Sequence, residues 1–258
     1  HYVSQWRDAP GLKKPIYKTS RRPGLLSAIQ VGHLLRNTGG ISHYGLAFGN
    51  EKIEPACEYT RMDLIRRMEK AWDSVESLRR FNRCPLIATP GTKYRYSSPG
   101  YTLLGAVVDR AGPGYLKQVK LRIKQRLALG TLMTSGQYCK SAPAGHPSSF
   151  YVQCHRGAKM VDGKLRSVSV HGLNWKLPSG GWVSSIRDLT KFTVGLMTPG
   201  RLLKKPKFLW EKTKYGKTNS NYKYGIKTTG VKPNAFFVWH DGIADGVRTM
   251  MAFLPKQK

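Results

Sequence analysis

Apolar residues recur at helical spacing through the first two thirds of the chain and alternate with polar ones in the last third. Ile29–Thr38, IQVGHLLRNT, predicts a short helix stopped by Gly39-Gly40. Thr60–Phe81 predicts a longer helix of mixed charge, closed before Cys84-Pro85. TPGTKYRYSSPG, from Thr89, reads as a turn-rich loop, and the apolar helix Tyr101–Ala111 follows it. In Tyr115–Leu127, Leu116, Val119, Ile123 and Leu127 share one helical face and Lys117, Lys120 and Lys124 another, flanked by Arg122 and Arg126. Residues 133–150 read as loop, and Tyr151–Val170 alternates as strands about an Asp162-Gly163 turn. Residues 177–197 predict a Gly-rich turn and then a helix capped at Ser184 or Ser185. Tyr222–Thr229, Ala235–His240 and Val247–Leu254 predict three strands between Gly-containing turns. Helices first and strands last define an α+β fold with one antiparallel sheet gathering the terminal strands. One domain over 1–258 is expected, mainly helical over about residues 30–150 and sheet-forming over about 151–258.

Charge changes this picture. Lys and Arg number 44 against 14 acids, a net charge of +30. No acid lies between Arg110 and Val161, and Glu211 alone lies between Leu189 and His240. A surface that mixed both signs would need no partner, whereas this imbalance calls for a polyanion. Three clusters are candidate RNA contacts: Lys13, Lys14, Lys18, Arg21 and Arg22; Lys117, Lys120, Arg122, Lys124 and Arg126; and Arg201, Lys204, Lys205, Lys207, Lys212, Lys214 and Lys217. The last is interleaved with Phe208, Trp210 and Tyr215, which suits stacking on single-stranded bases. Contacts of this kind hold the phosphate backbone and weaken with salt. Anionic lipid is the competing partner, since one helix joins a basic face to an apolar stripe. No apolar run reaches the length of a membrane-spanning helix.

Cys57, Cys84, Cys139 and Cys154 are too few and too irregular for a disulfide scaffold, so reduced thiols are expected. Cys139, Cys154, His146 and His155 could be drawn as a zinc site, but no C-x-x-C pair supports it, and neither metal nor cofactor is expected.

Four segments in order resemble the serine β-lactamase and penicillin-binding-protein-like superfamily, in its class C and esterase-like branch. They are IQVGHLLRNTGGISHYG, TPGTKYRYSSPGYTLLGAVVDRAG, LPSGGWVSSIRDLTKFTVGLM and VWHDGIADGVRTMMAFLP. The resemblance implies a β-lactamase-like fold, with an antiparallel sheet, flanking helices and a helical sub-domain. It also implies a serine nucleophile and lysine base as Ser-x-x-Lys, a relay tyrosine, and a third-motif strand that binds a substrate carboxylate and lends an N–H to the oxyanion hole. Tyr96 matches the relay tyrosine, with Ser98 where Asn is common. His240 and Gly242 match the third motif, with Asp241 where Thr or Ser is usual. A carboxylate there opposes an anionic substrate. The family's Ser-x-x-Lys helix falls upstream of the segment at Ile29 and is expected to be absent. The literal Ser220…Lys223 match, and Lys227-Thr228-Thr229-Gly230, stand outside the family's register. Gly91, Gly180, Gly181 and Gly242 are expected where turns need glycine.

Two functions follow. The first is a catalytically inactive β-lactamase-like subunit of a large ribonucleoprotein. A mitochondrial ribosome in the matrix is the concrete expectation, because His1 reads as a processed N-terminus and the chain is basic throughout. Its motif residues Tyr96, Ser98, His240 and Gly242 would be vestigial, and an apolar surface left open on the sheet would pack against neighbouring subunits. The alternative is an active serine hydrolase whose Ser-x-x-Lys lies upstream or on another chain.

Overall fold

The computed structural model describes residues 28–43, 73–79, 84, 86–141, 153–171, 173–211, 221–232, 235–244 and 247–255. Helix α1, Val31–Leu35, is shorter than expected. The chain leaves it at Asn37, whose φ of 55° is a left-handed conformation that Asn tolerates. Of the helix expected over Thr60–Phe81, α2, Ser74–Arg79, is described and the remainder lies outside the described residues. Helix α3, Ser98–Arg110, begins three residues earlier than its apolar period. The Ser97 hydroxyl accepts the Gly100 N–H at 3.0 Å, and Pro99 is tolerated because the first turn needs no donor there.

Helix α4, Tyr115–Val119, continues as a π-helix over Lys120–Gln125. The wider turn shifts the phase of the side chains. Of the apolar stripe expected over Tyr115–Leu127, Val119, Ile123 and Leu127 are half-buried together, and Leu116, in the first turn, is 39% exposed. The stretch expected as loop from residue 133 opens with strand β1, Met133–Thr134, and helix α5, Ser135–Ser141. Its order comes from distant partners, since Asn174 Oδ1 accepts the Gly136 N–H at 2.8 Å and β1 pairs with a strand near residue 182.

Strands β2, Gln153–Val161, and β3, Lys164–His171, form the expected antiparallel hairpin, turning at Asp162 and Gly163 with φ of 50° and 71°. A 3-10 turn, Asn174–Lys176, and the short helix α6, Leu177–Gly180, lead into β4, Trp182–Val183, the partner of β1. Helix α7, Ile186–Met197, is capped by Ser185, as expected. Buried Asp188 accepts the Thr131 N–H and hydroxyl, both at 2.6 Å, and ties α7 to the end of the π segment.

The terminal sheet has the order β5-β6-β7, from Lys227–Lys232, Ala235–Ala244 and Val247–Phe253, all antiparallel. The strand expected from Tyr222 starts five residues late, because Gly225 takes a φ of 78° and only the Tyr222–Lys227 bridge forms before it. The core lies on both sides of α3 and against the sheet: Leu103, Ala106 and Val107 meet α1, α2 and α6, while Thr193 and Met197 of α7 line a crevice with Ile226, Val238 and Met251. Ile243 and Met250 of the sheet, and Leu254 just after it, are exposed at 65%, 53% and 70%. Cys84 is buried and disulfide-bonded, which corrects the expectation of reduced thiols: spacing along the chain does not report distance in the fold. Among the described residues, no helix is long and apolar enough to cross a membrane.

Candidate active site

Two loops and one strand end build the site. The loop after α1 pairs with the loop before α3: Ile87 N donates to Gly40 O, Gly91 N to Thr38 O and Arg95 N to Asn37 O, at 2.7–2.9 Å. Asn37 Oδ1 accepts the Ser97 N–H at 3.0 Å, and Ser97 Oγ donates to the Ser42 carbonyl at 3.0 Å. The seam needs Gly40, since a Cβ there would stand 2.0 Å from the Ala88 carbonyl oxygen. It holds Tyr94 and Tyr96 on a fixed backbone, with Ser98 buried at the start of α3.

His43 closes one end. Its Nδ1 accepts the Ser98 N–H at 3.2 Å and its ring meets Tyr96 edge-on at 5.5 Å. Burial, and then the charge of Lys176, push its pKa down to about 4, so the ring is neutral at pH 7. Tyr96 keeps 36% of its surface, and its phenol is held above the usual range by burial and the Asp241 charge, against the Ser98 hydrogen bond.

Tyr222 and His240 close the other end. Tyr222 packs 5.7 Å from Tyr94, 6.1 Å from Tyr96 and 6.0 Å from His240. Tyr101 OH donates to the Leu35 carbonyl at 2.8 Å and accepts from Tyr222 OH at 3.3 Å. With the Tyr222 proton so placed, its 3.3 Å contact to His240 Nε2 makes His240 the donor, an assignment drawn from the network. Burial, then Lys227, lower the His240 pKa, and Asp241 opposes them. Burial raises Tyr94 to about 12 and lifts Tyr101 and Tyr222 further, so the cluster is neutral phenols and imidazoles.

In strand β6, Ala235–Trp239 pair with β5 and Val238–Ala244 with β7, so His240 follows the last residue paired on both sides. Among the described residues, no strand pairs with its β5 side from His240 onward. Gly242 belongs to this strand and not to a turn, which corrects the expectation: a Cβ would lie 2.8 Å from Thr249 Cγ2 of β7. Gly91 and Gly180 do take positive φ, whereas at Gly181 a Cβ would sit 2.4 Å from the Leu173 carbonyl oxygen.

Through His43 and Tyr222 the structure connects Tyr96, Ser98 and His240, with Gly242 two residues further along β6. It adds His43, Tyr94, Tyr101 and Tyr222, which carried no spacing signal and are recruited by tertiary packing. Ser220 lies outside the described residues, and Lys223 is half-buried, its pKa lowered by burial and then Arg36. Of the basic clusters, Lys13, Lys14, Lys18, Arg21, Arg22, Lys212, Lys214 and Lys217 lie outside the described residues. Lys117, Lys120, Arg122, Arg126, Arg201, Lys204, Lys205 and Lys207 are exposed. Arg126 donates to the Gly200 carbonyl at 2.9 Å, which sets the second and third clusters side by side, and Lys124 is half-buried with its ammonium on the Leu132 carbonyl at 2.7 Å. The Cys139, Cys154, His146 and His155 side chains lie outside the described ones, and no group of His, Cys, Asp and Glu among the described residues is placed to hold a metal ion.

The beta-lactamase family model matches residues 26–258, and the chain belongs to that family. It is 34% identical over 125 residues to the serine beta-lactamase-like protein LACTB, mitochondrial, of Homo sapiens and of Mus musculus, a match covering 48% of this chain and 21% of each relative. The chain therefore spans about a fifth of the length of those relatives. Among solved structures, a penicillin-binding protein from Bacillus halodurans superimposes with a TM-score of 0.63 at 20% identity, over 98% of this chain and 69% of that one. A D-stereospecific amidohydrolase from Streptomyces sp. gives 0.60 at 21% identity, over 89% and 70%. These likenesses establish the β-lactamase-like fold, with helices and antiparallel sheets.

Proposed function

We propose that the chain forms the proton-relay and strand-edge half of a serine acyl-hydrolase site, the Ser-x-x-Lys nucleophile being carried by polypeptide outside this sequence. The observation that carries the reading is the preserved constellation: Tyr96 exposed on a rigid seam, His43 and Tyr222 fixing its two sides, and the His240–Gly242 edge open opposite it. A vestigial site has no need to keep its phenol accessible with an aromatic partner on either side. In the reaction, the Tyr96 phenol passes the proton of the attacking serine to the leaving group. The open edge of β6 supplies backbone N–H to the developing oxyanion. His240, neutral and held by Tyr222, orients the substrate at the strand. The test is labelling of the natural protein by a fluorophosphonate, with hydrolysis of aryl esters. Tyr96→Phe should lower kcat by about 10²–10⁴-fold while leaving the melting temperature within about 2 °C. Absence of labelling and turnover in the natural protein would overturn the reading.

The exposed, adjoining basic clusters favour a second reading, the inactive RNA-contacting subunit of a mitochondrial ribosome. Its test is sedimentation of the native protein with and without ribonuclease. Co-migration with a ribosome-sized particle that ribonuclease collapses would establish it, and migration as a free protein would end it. The mitochondrial names of the relatives support a mitochondrial location for this chain. The Cys84 disulfide favours an oxidising space over the reducing matrix.

A further inference from the structure

Lys227 of β5 stands opposite Trp239 of β6, one residue pair from Asp241 on the same face. Its ammonium is 2.6 Å from Asp241 Oδ1 and 4.4 Å from the centre of the Trp239 ring. The ring is itself fixed by an indole N–H bond to Thr229 Oγ1 at 2.8 Å. The pair is not sealed in: the Lys227 and Asp241 side chains keep 27% and 32% of their surfaces. Asp241 follows His240 on β6, and the His240 ring is 3.3 Å from the Tyr222 hydroxyl, so the pair stands next to the phenol cluster; the Asp241 charge acts on both Tyr94 and Tyr96.

Charge around the site then sums simply. His240 and His43 are neutral, and Lys227 is matched by Asp241. Lys176 acts on His43, at the other end. A substrate carboxylate arriving at the strand would meet an ammonium already neutralised and a carboxylate already charged. A substrate amine would meet a partly exposed carboxylate able to accept further donors.

We propose that Asp241 sets the substrate class of this site. By taking up Lys227 it withdraws the strand's cation, so the site admits acyl groups bearing an amine or no charge and turns away those bearing a carboxylate. The assignment rests on the serine-hydrolase reading, and amino-acid amides and esters with a free amine are the class it names.

The experiment titrates the 258-residue chain with phenethylamine, phenylacetamide and phenylacetate, followed by the Trp239 indole and Gly242 amide resonances. In the wild type, the amine and the amide should bind at least about tenfold more tightly than phenylacetate. Asp241→Asn should tighten phenylacetate about tenfold and abolish the preference for the amine, while Lys227→Gln, which keeps the carboxylate, should continue to exclude phenylacetate. Thermal melts of both variants confirm that the strand is intact. Phenylacetate binding to the wild type as tightly as phenethylamine would overturn the proposal, as would an unchanged order in Asp241→Asn or no response to any probe. Fluorophosphonate labelling of the natural protein is read separately. Labelling without the charge preference removes this inference alone, and the preference without labelling removes the hydrolase reading and leaves the amine site.

Discussion

His43 makes the site's architecture sensitive to acid. Its Nδ1 must be unprotonated to accept the Ser98 N–H that seats the first turn of α3, and burial with the nearby Lys176 charge hold its pKa at about 4. An unfolded histidine titrates near ~6.5. Because the folded value lies below the unfolded one, this stability is fully present above about pH 6.5 and is lost as pH falls toward the folded value. Each pH unit inside that window costs about 1.4 kcal/mol, so between pH 7 and pH 5 the loss reaches at most about 2 kcal/mol. With an m-value of about 3 kcal/mol/M, the urea midpoint falls by about 0.7 M. His43→Asn offers a neutral acceptor and removes the titration. Burial also lowers the pKa of His33 and of His240, but both act equally in wild type and variant. The assay is urea unfolding of the two proteins at pH 7, 6 and 5. The stability difference between them should shrink by about 2 kcal/mol across the series. A difference that stays constant with pH would refute the argument, because the cost of protonating His43 would then not reside in this contact.

Three further substitutions test the packing. Tyr222→Phe removes the hydroxyl joining His240 to Tyr101 and should cost about 1–3 kcal/mol, read as a fall in melting temperature of about 3–8 °C. Gly242→Ala forces a methyl against Thr249 and should destabilise by about 1–3 kcal/mol, with loss of amide-exchange protection along β6 and β7. Leu103→Ala empties a fully packed position of α3 and should cost about 2–5 kcal/mol in urea unfolding.

Much of the fold was legible because its signals are local. The β2–β3 hairpin follows from alternation around Asp162-Gly163, and α7 from an apolar period behind Ser185. The three terminal strands follow from alternation between glycines. What the pattern missed was decided by partners far along the chain. α5 is ordered by Asn174, and the chain at Tyr222 stays out of the sheet because it turns toward Tyr101 and His240. The stripe of α4 largely holds, Val119, Ile123 and Leu127 being half-buried together, while the π turn over Lys120–Gln125 is announced by nothing in the residue types.

The candidate site divides along the same line. Tyr96, His240 and Gly242 could be read because each sits in a motif with neighbours of fixed spacing. The grouping of His43, Tyr94 and Tyr101 with Tyr222 could not, since Tyr222 is 121 residues or more from the others and is joined to them only in the fold. The basic clusters suggested a polyanion, yet part of that charge has work inside the molecule: Lys124 and Arg126 tie off carbonyls, and Lys227 is bound to Asp241. The informative charge is the rare one. In a chain with 44 basic residues, an acid on the strand next to His240 is unexpected, and under the proposal above it is this acid that would determine what the site receives.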